Sequence, residues 1–149
     1  MPFDATGRHQ LPLLAVSQAQ KEITHNEALA RIDALLHPVV EDQLTTPAMP
    51  TNADIGKCWL VSPAATGEWS NKSGQIAIWI GGGWRYLLPT EAMRIRSKSD
   101  GTDLIWSGMA WINAPSISDP SGGGVIDVEA RAAITALLSY FKTIGQFTD

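Results

Sequence analysis

A chain of 149 residues with a formal charge of −4 spread along its length has room for one modest domain, or a small domain with appendages. It carries no basic patch of the kind that neutralises phosphates, which argues against a nucleic-acid partner. Its single cysteine, Cys58, excludes an internal disulfide and any multi-cysteine zinc site.

The N-terminus opens with a polar stretch containing Asp4, Arg8 and His9, followed by the short apolar run Leu11 to Val16. That run is too short for a signal peptide, and nothing approaches the roughly 20 apolar residues of a membrane span. The expectation is therefore a soluble chain made in the cytoplasm. Residues 1–15 read as an extended arm, since Pro2 and Pro12 oppose helix while Leu11, Leu13 and Leu14 seek an apolar contact. The contact could be on the chain's own domain, a neighbouring subunit or a separate protein.

Ser17 followed by Gln20 has capping-box spacing, and the helix it opens should run to about His37, where Pro38 stops it. Ala28/Leu29, Ile32 and Leu35/Leu36 recur at three-to-four spacing and predict a buried stripe in the second half. The first half is polar: Gln18, Gln20, Lys21, Glu22, His25, Asn26 and Glu27. It is either a docking surface beyond the core or a solvated half-helix. Glu22 and His25 have the Glu-x-x-His spacing of a di-metal site, but the second such pair is lacking, so no metal is expected.

Residues 38–56 read as a proline-rich loop. Lys57 to Val61 is the first predicted strand, and Pro63 to Gly74 a polar loop holding Trp69. A pattern used twice follows: tryptophan, four residues, tryptophan, as Trp79 to Trp84 and Trp106 to Trp111. Each copy has apolar flanks and a glycine-bearing middle, the mark of a tight β-hairpin. The predicted hairpin strands are Gln75–Ile80 with Trp84–Leu88 and Asp103–Trp106 with Ala110–Ile112, with a short strand at Met93–Arg96 between. Both hairpins are expected in one small antiparallel sheet. Ile76, Ile78 and Ile80 should share one face and Ala77 and Trp79 the other.

Residues 113–126 are a Pro/Gly/Ser linker by composition. Asp127 should cap a last helix with Gly145 as its C′ residue. Ala130, Ile134, Leu137, Phe141 and Ile144 follow at four, three, four and three, a heptad seam to be buried either on the chain's own sheet or, as the flexible linker favours, against symmetry mates. The fold class is thus α+β. Its parts are an N-terminal arm and helix (1–37), a Trp-rich β-domain (38–112), a linker (113–126) and a C-terminal helix (127–149).

No catalytic constellation, cofactor motif or metal site stands out, so no enzyme activity is expected. Gly81-Gly82-Gly83 lacks the Lys-Ser/Thr and helix of a phosphate loop, His9 and His37 have no companions at ligand spacing, and Cys58 in a strand reads as a buried, inert thiol. The six tryptophans permit a second reading, a carbohydrate-binding module stacking sugar rings on exposed indoles. Trp69, on its polar loop, is the leading candidate, with Trp84 and Trp111 beside it, while Trp59, Trp79 and Trp106 read as core.

The run Leu11 to Leu29, with Gln20-Lys21-Glu22-Ile23-Thr24-His25-Asn26-Glu27 at its centre, resembles the opening signature of an uncharacterised domain family. That family occurs in tailed phages, prophages and gene transfer agents of alphaproteobacteria and is associated with tail-fibre proteins. The likeness continues through Ala65 to Trp69, Ile78 to Arg85 and Leu104 to Trp111. More loosely, Asp127 to Ile134 resembles helices that end related phage proteins. The resemblance implies a virion tail component, a tail-fibre or fibre-adaptor subunit, homotrimeric, assembled in the host cytoplasm. It would dock on tail or baseplate proteins through residues 18 to 27, with the arm as a strap. Many family members continue into a receptor-binding region, whereas this sequence stops at Asp149, so contact with host polysaccharide is the alternative and not the leading expectation.

Overall fold

The computed structural model describes residues 5–15, 21–113, 117–122, 127–143 and 146. The two helices are α1, Lys21–Leu36, and α2, Val128–Thr143. Between them run the strands β1 (Val39–Val40), β2 (Gln43–Leu44), β3 (Cys58–Val61), β4 (Ile76–Trp79), β5 (Trp84–Leu87), β6 (Arg94–Ser97), β7 (Asp103–Trp106) and β8 (Trp111–Asn113). The class is α+β, with the tryptophans concentrated on the strands.

The strands form two four-stranded sheets, ordered β2-β3-β4-β5 and β1-β6-β7-β8. The two Trp-x4-Trp hairpins therefore lie in different sheets, which corrects the expectation of one. The reason is a division of labour along 39–44. Its first two residues pair in parallel with β6, and Gln43 and Leu44 pair in parallel with β3. Each sheet thus ends on a two-residue edge taken from the same short segment.

The sheets match in register as well as in order. Each is a parallel edge followed by an antiparallel meander whose last hairpin pairs Trp79 with Trp84 or Trp106 with Trp111. Aligning those tryptophans sets Leu60 against Arg96, and their edge partners Gln43 and Val39 then coincide. Both hairpins close the same way, Ile80 N–H donating to Gly83 O at 3.2 Å and Ser107 N–H to Ala110 O at 2.9 Å.

Strand alternation splits the first sheet between two cores. Cys58, Leu60, Ile76, Ile78 and Leu87 point to one side, where Ala34 of α1, Val40 and Ile95 complete a buried cluster. Ile80 joins them, so the three isoleucines share a face as the period of two requires. Ala77, Trp59, Val61 and Trp84 point to the other side, covered by Trp69. Trp84 is the centre of that cluster, edge-on to Trp59 at 5.4 Å, Trp69 at 5.1 Å and Trp79 at 5.3 Å. Such pairs contribute about 0.5–1.5 kcal/mol each beyond their buried area.

Gly74 locks the sheets together. It sits at φ +73°, and a Cβ there would meet the Trp106 ring at 3.1 Å, while Trp111 Nε1–H donates to its carbonyl at 2.8 Å. The position therefore needs glycine both for its backbone conformation and for the close approach. Asp127 caps α2 as expected, its Oδ1 accepting from Ala130 N–H at 2.8 Å. The Ser17–Gln20 capping box, Ile144, Gly145 and parts of the linker lie outside the described residues.

Candidate functional site

The arm docks on its own domain. Residues 5–12 make a small loop closed by Thr6 N–H donating to Leu11 O at 2.9 Å and by a bridge between Ala5 and Pro12. Gly7 lies so close to the Ile55 carbonyl that a Cβ would overlap it, and the Gly7 and Gly56 backbones touch. Beyond the loop, Leu14 exchanges two bonds with the Asn26 carboxamide, N–H to Oδ1 at 2.9 Å and Nδ2–H to the Leu14 carbonyl at 3.0 Å. Asn26 thus acts as a one-residue strand for the arm.

Asp33 is the clasp. It is 1% exposed, and its Oδ2 accepts from Arg8 N–H at 2.9 Å while Oδ1 accepts from His9 N–H at 2.7 Å. His9 Nδ1 lies 3.1 Å from the same Oδ1. Burial alone would raise the pKa of this carboxyl, but the amides of His9 and Arg8 with the Thr6 hydroxyl and His9 ring outweigh it and hold it below the usual carboxylate value. The Arg8 guanidinium reaches past the clasp to the end of α1, donating to His37 O at 2.6 Å and Ala34 O at 3.2 Å. It thereby satisfies carbonyls that a helix end leaves without partners.

This docking turns α1 around. The residues facing the domain are Asp33 and Ala34, both buried, and the predicted stripe faces outward: Ile32, Leu35 and Leu36 are 46%, 40% and 57% exposed. The expectation of a buried apolar stripe is thus corrected. The periodicity is real, but the carboxylate and its donors claim the inward face. Lys21, His25, Ala28, Ile32 and Leu35, all exposed, follow at spacings of four, three, four and three along the outward side.

The sequence-selected residues distribute accordingly. Gln18 and Gln20 lie outside the described residues; Lys21 and His25 are exposed, and Glu22 is half-buried. Asn26 is taken by the arm. Glu27 pairs with Arg31 at 2.8 Å and Arg85 at 3.2 Å, binding α1 to β5 at the rim of an apolar groove of about 210 Å³ between arm, helix and first sheet. On α2, Ala130, Ile134, Leu137 and Phe141 are all exposed, like most of that helix, while Leu138 is buried.

Two of the three proposed stacking tryptophans are buried. Trp69 is 0% and Trp84 7% exposed, so neither offers a ring face to a sugar. The loop from Pro63 to Gly74 folds over the sheet, and its 3-10 turn at Gly67–Trp69 drives the indole into the cluster. The tryptophans already facing that side formed an apolar surface in need of cover, the one signal that predicts this. Trp111 is half-buried. Cys58 is buried, and burial pushes its thiol up to about 11, so it is unreactive near neutral pH. Among the described residues no group of three or more His, Cys, Asp or Glu is placed to hold a metal ion, and no helix is long and apolar enough to cross a membrane.

Arm, clasped helix and paired sheets define an α+β module whose helices turn apolar side chains outward. Residues 25–112 match the family model described as protein of unknown function (DUF2793). That match spans more than half of the chain, and the chain belongs to this family. No curated protein matches it.

Proposed function

We propose that the protein is a virion structural subunit, a tail-fibre or fibre-adaptor component of a tailed phage or gene transfer agent. It assembles as a homotrimer and attaches to tail or baseplate proteins through its N-terminal segment. One observation carries this reading. Both helices expose apolar side chains at heptad spacing, Ile32 and Leu35 on α1 and Ile134 and Leu137 on α2. A chain meant to stand alone gains nothing from two such seams, whereas a subunit buries them against other helices. The resemblance of Leu11 to Leu29 to phage tail proteins supplies the kind of particle. The attachment surface on this reading is the outward side of α1, with Lys21 and His25 beside Ile32 and Leu35, because Asn26 and Glu27 are engaged within the chain. The α2 seam then joins the copies to one another.

Light scattering on the full chain and on one lacking residues 113–149 tests the assembly. A trimer that becomes a monomer on truncation supports it, and a monomer in both sinks it. Replacing Ile32 and Leu35 by glutamate tests attachment. The variant should fold and remain trimeric yet be missing from purified particles.

A further inference from the structure

Between the two sheets lies a second hollow, different in character from the groove under the arm. It measures about 420 Å³, within the range of small-ligand sites, and its lining is mainly polar. Trp111 forms one wall. Around it stand Asp42 and Gln43 from the shared edge segment, Asp100 from the β6–β7 turn, and Asn113 from β8. A smaller hollow of about 180 Å³ adjoins it, with Trp111 again in the wall and Trp106 and Met109 beyond.

Register explains why these groups converge. Trp106 pairs with Trp111 and Leu104 with Asn113, so alternation puts the indoles and the Asn113 carboxamide on one face of the second sheet. The Trp111 ring is fixed by its Nε1–H bond to Gly74 O at 2.8 Å and by its edge contact with Trp106 at 5.4 Å. The polar groups are only partly used. Asp42 Oδ1 accepts from Gln43 N–H at 2.8 Å, and Asp100 Oδ1 from Thr102 N–H at 3.2 Å. The carboxamides of Gln43 and Asn113 have no partner among the described residues. Hydrogen bonds from the Ser97 hydroxyl and from Thr102 offset the burial that would raise Asp100, keeping it ionised and an acceptor at neutral pH.

We infer that this inter-sheet cleft, walled by Trp111 and ringed by Asp42, Gln43, Asp100 and Asn113, binds a neutral sugar unit of an oligosaccharide. The chemistry of each group selects that class. A fixed indole offers an apolar face to the C–H side of a pyranose ring. Carboxylates accept from hydroxyl pairs, and carboxamides both donate and accept, which suits hydroxyl-rich ligands. Two carboxylates with no cation in the wall repel phosphates, sulfated glycans and uronic acids. This site is separate from the buried Trp69–Trp84 cluster, and it stands whether or not the chain assembles into a particle.

The test is titration of isotope-labelled full-length protein with methyl glycosides of glucose, galactose, mannose, rhamnose, N-acetylglucosamine and N-acetylgalactosamine, followed by NMR. The Trp111 indole N–H and the Gln43 and Asn113 side-chain amides should shift together and saturably for at least one sugar, while amides of the arm stay still. In Asn113→Ala and Gln43→Ala, both exposed positions outside the cores, affinity for that sugar should fall about tenfold, the worth of one hydrogen bond with its partner left unmet. Glucuronic acid should not bind. No saturable shift at Trp111 with any of the six neutral sugars overturns the inference. So does tighter binding of glucuronic acid, or affinity unchanged in both variants.

Discussion

Replacing Asp33 by asparagine should release the arm, even though the side chains have nearly the same shape. Both carboxylate oxygens face backbone N–H donors, Oδ2 that of Arg8 and Oδ1 that of His9. Asparagine has one acceptor oxygen. Whichever way its amide turns, one backbone donor meets an NH2 group. A bond to a charged acceptor contributes about 1.5–3 kcal/mol, and a buried donor left facing another adds to the loss. We expect the docked arm to be weakened by about 2–4 kcal/mol, a rise of thirty- to a thousand-fold in its open population. Hydrogen exchange reads this directly. The informative amide is that of Leu14, which donates to Asn26 and not to Asp33. If the arm detaches as a unit, Leu14 loses protection together with Arg8 and His9. Strand amides such as Leu60 and Ala77 should keep theirs, because the two cores do not depend on the carboxylate. Wild-type protection at Leu14 in Asp33→Asn would refute the clasp as what holds the arm.

Acid should act on the same clasp. The folded pKa of Asp33 lies below its unfolded value of about 3.9, so its contribution is complete above the ordinary carboxylate range and fades as pH falls through the lower, folded value. Leu14 exchange, corrected for its intrinsic pH dependence, should therefore accelerate only on the acid side of that range. Gly74→Ala must both adopt a positive φ and displace the Trp106 ring; it should cost about 1–3 kcal/mol in urea unfolding, with the first sheet's Trp84 signal least affected. Trp69→Ala empties a fully buried site and should lower stability by about 3–5 kcal/mol, visible as a lower unfolding midpoint. Cys58 should resist a thiol reagent in the native chain near neutral pH and react once urea unfolds it.

The hairpins were legible because their signal is local and redundant: paired tryptophans, glycine between them, alternating isoleucines behind. Asp127 was legible as a cap for the same reason. What escaped was whatever depended on distant partners. Val39–Val40 and Gln43–Leu44 are too short to carry a period, and only their pairing with β6 and β3 makes them strands. The direction of α1 was misread because periodicity reports that a stripe exists and not which way it points. Nothing in the sequence marks Asp33, because only the fold brings Thr6, Arg8 and His9 to it. Trp69 sat in a polar loop whose residues promise exposure, yet the sheet beneath it needed a lid. The cleft at Trp111 joins residues 40–43 and Leu60 to the distant stretch 97–113, and no single stretch announces it.

The edge segment shared by the two sheets also has a consequence for synthesis. Gln43 and Leu44 pair with the nearby Leu60 and Val61, and every strand of the first sheet has been made once Leu87 has emerged. Val39 and Val40 must wait for Arg96 and Ser97. Until then the nascent chain holds a finished first sheet beside an open valine edge, the kind of unpaired strand that recruits strangers. Edge pairs with distant partners close late because loop closure comes before any contact rewards it. The matching second sheet therefore does more than repeat the first: its arrival covers the valine edge that the early half leaves open.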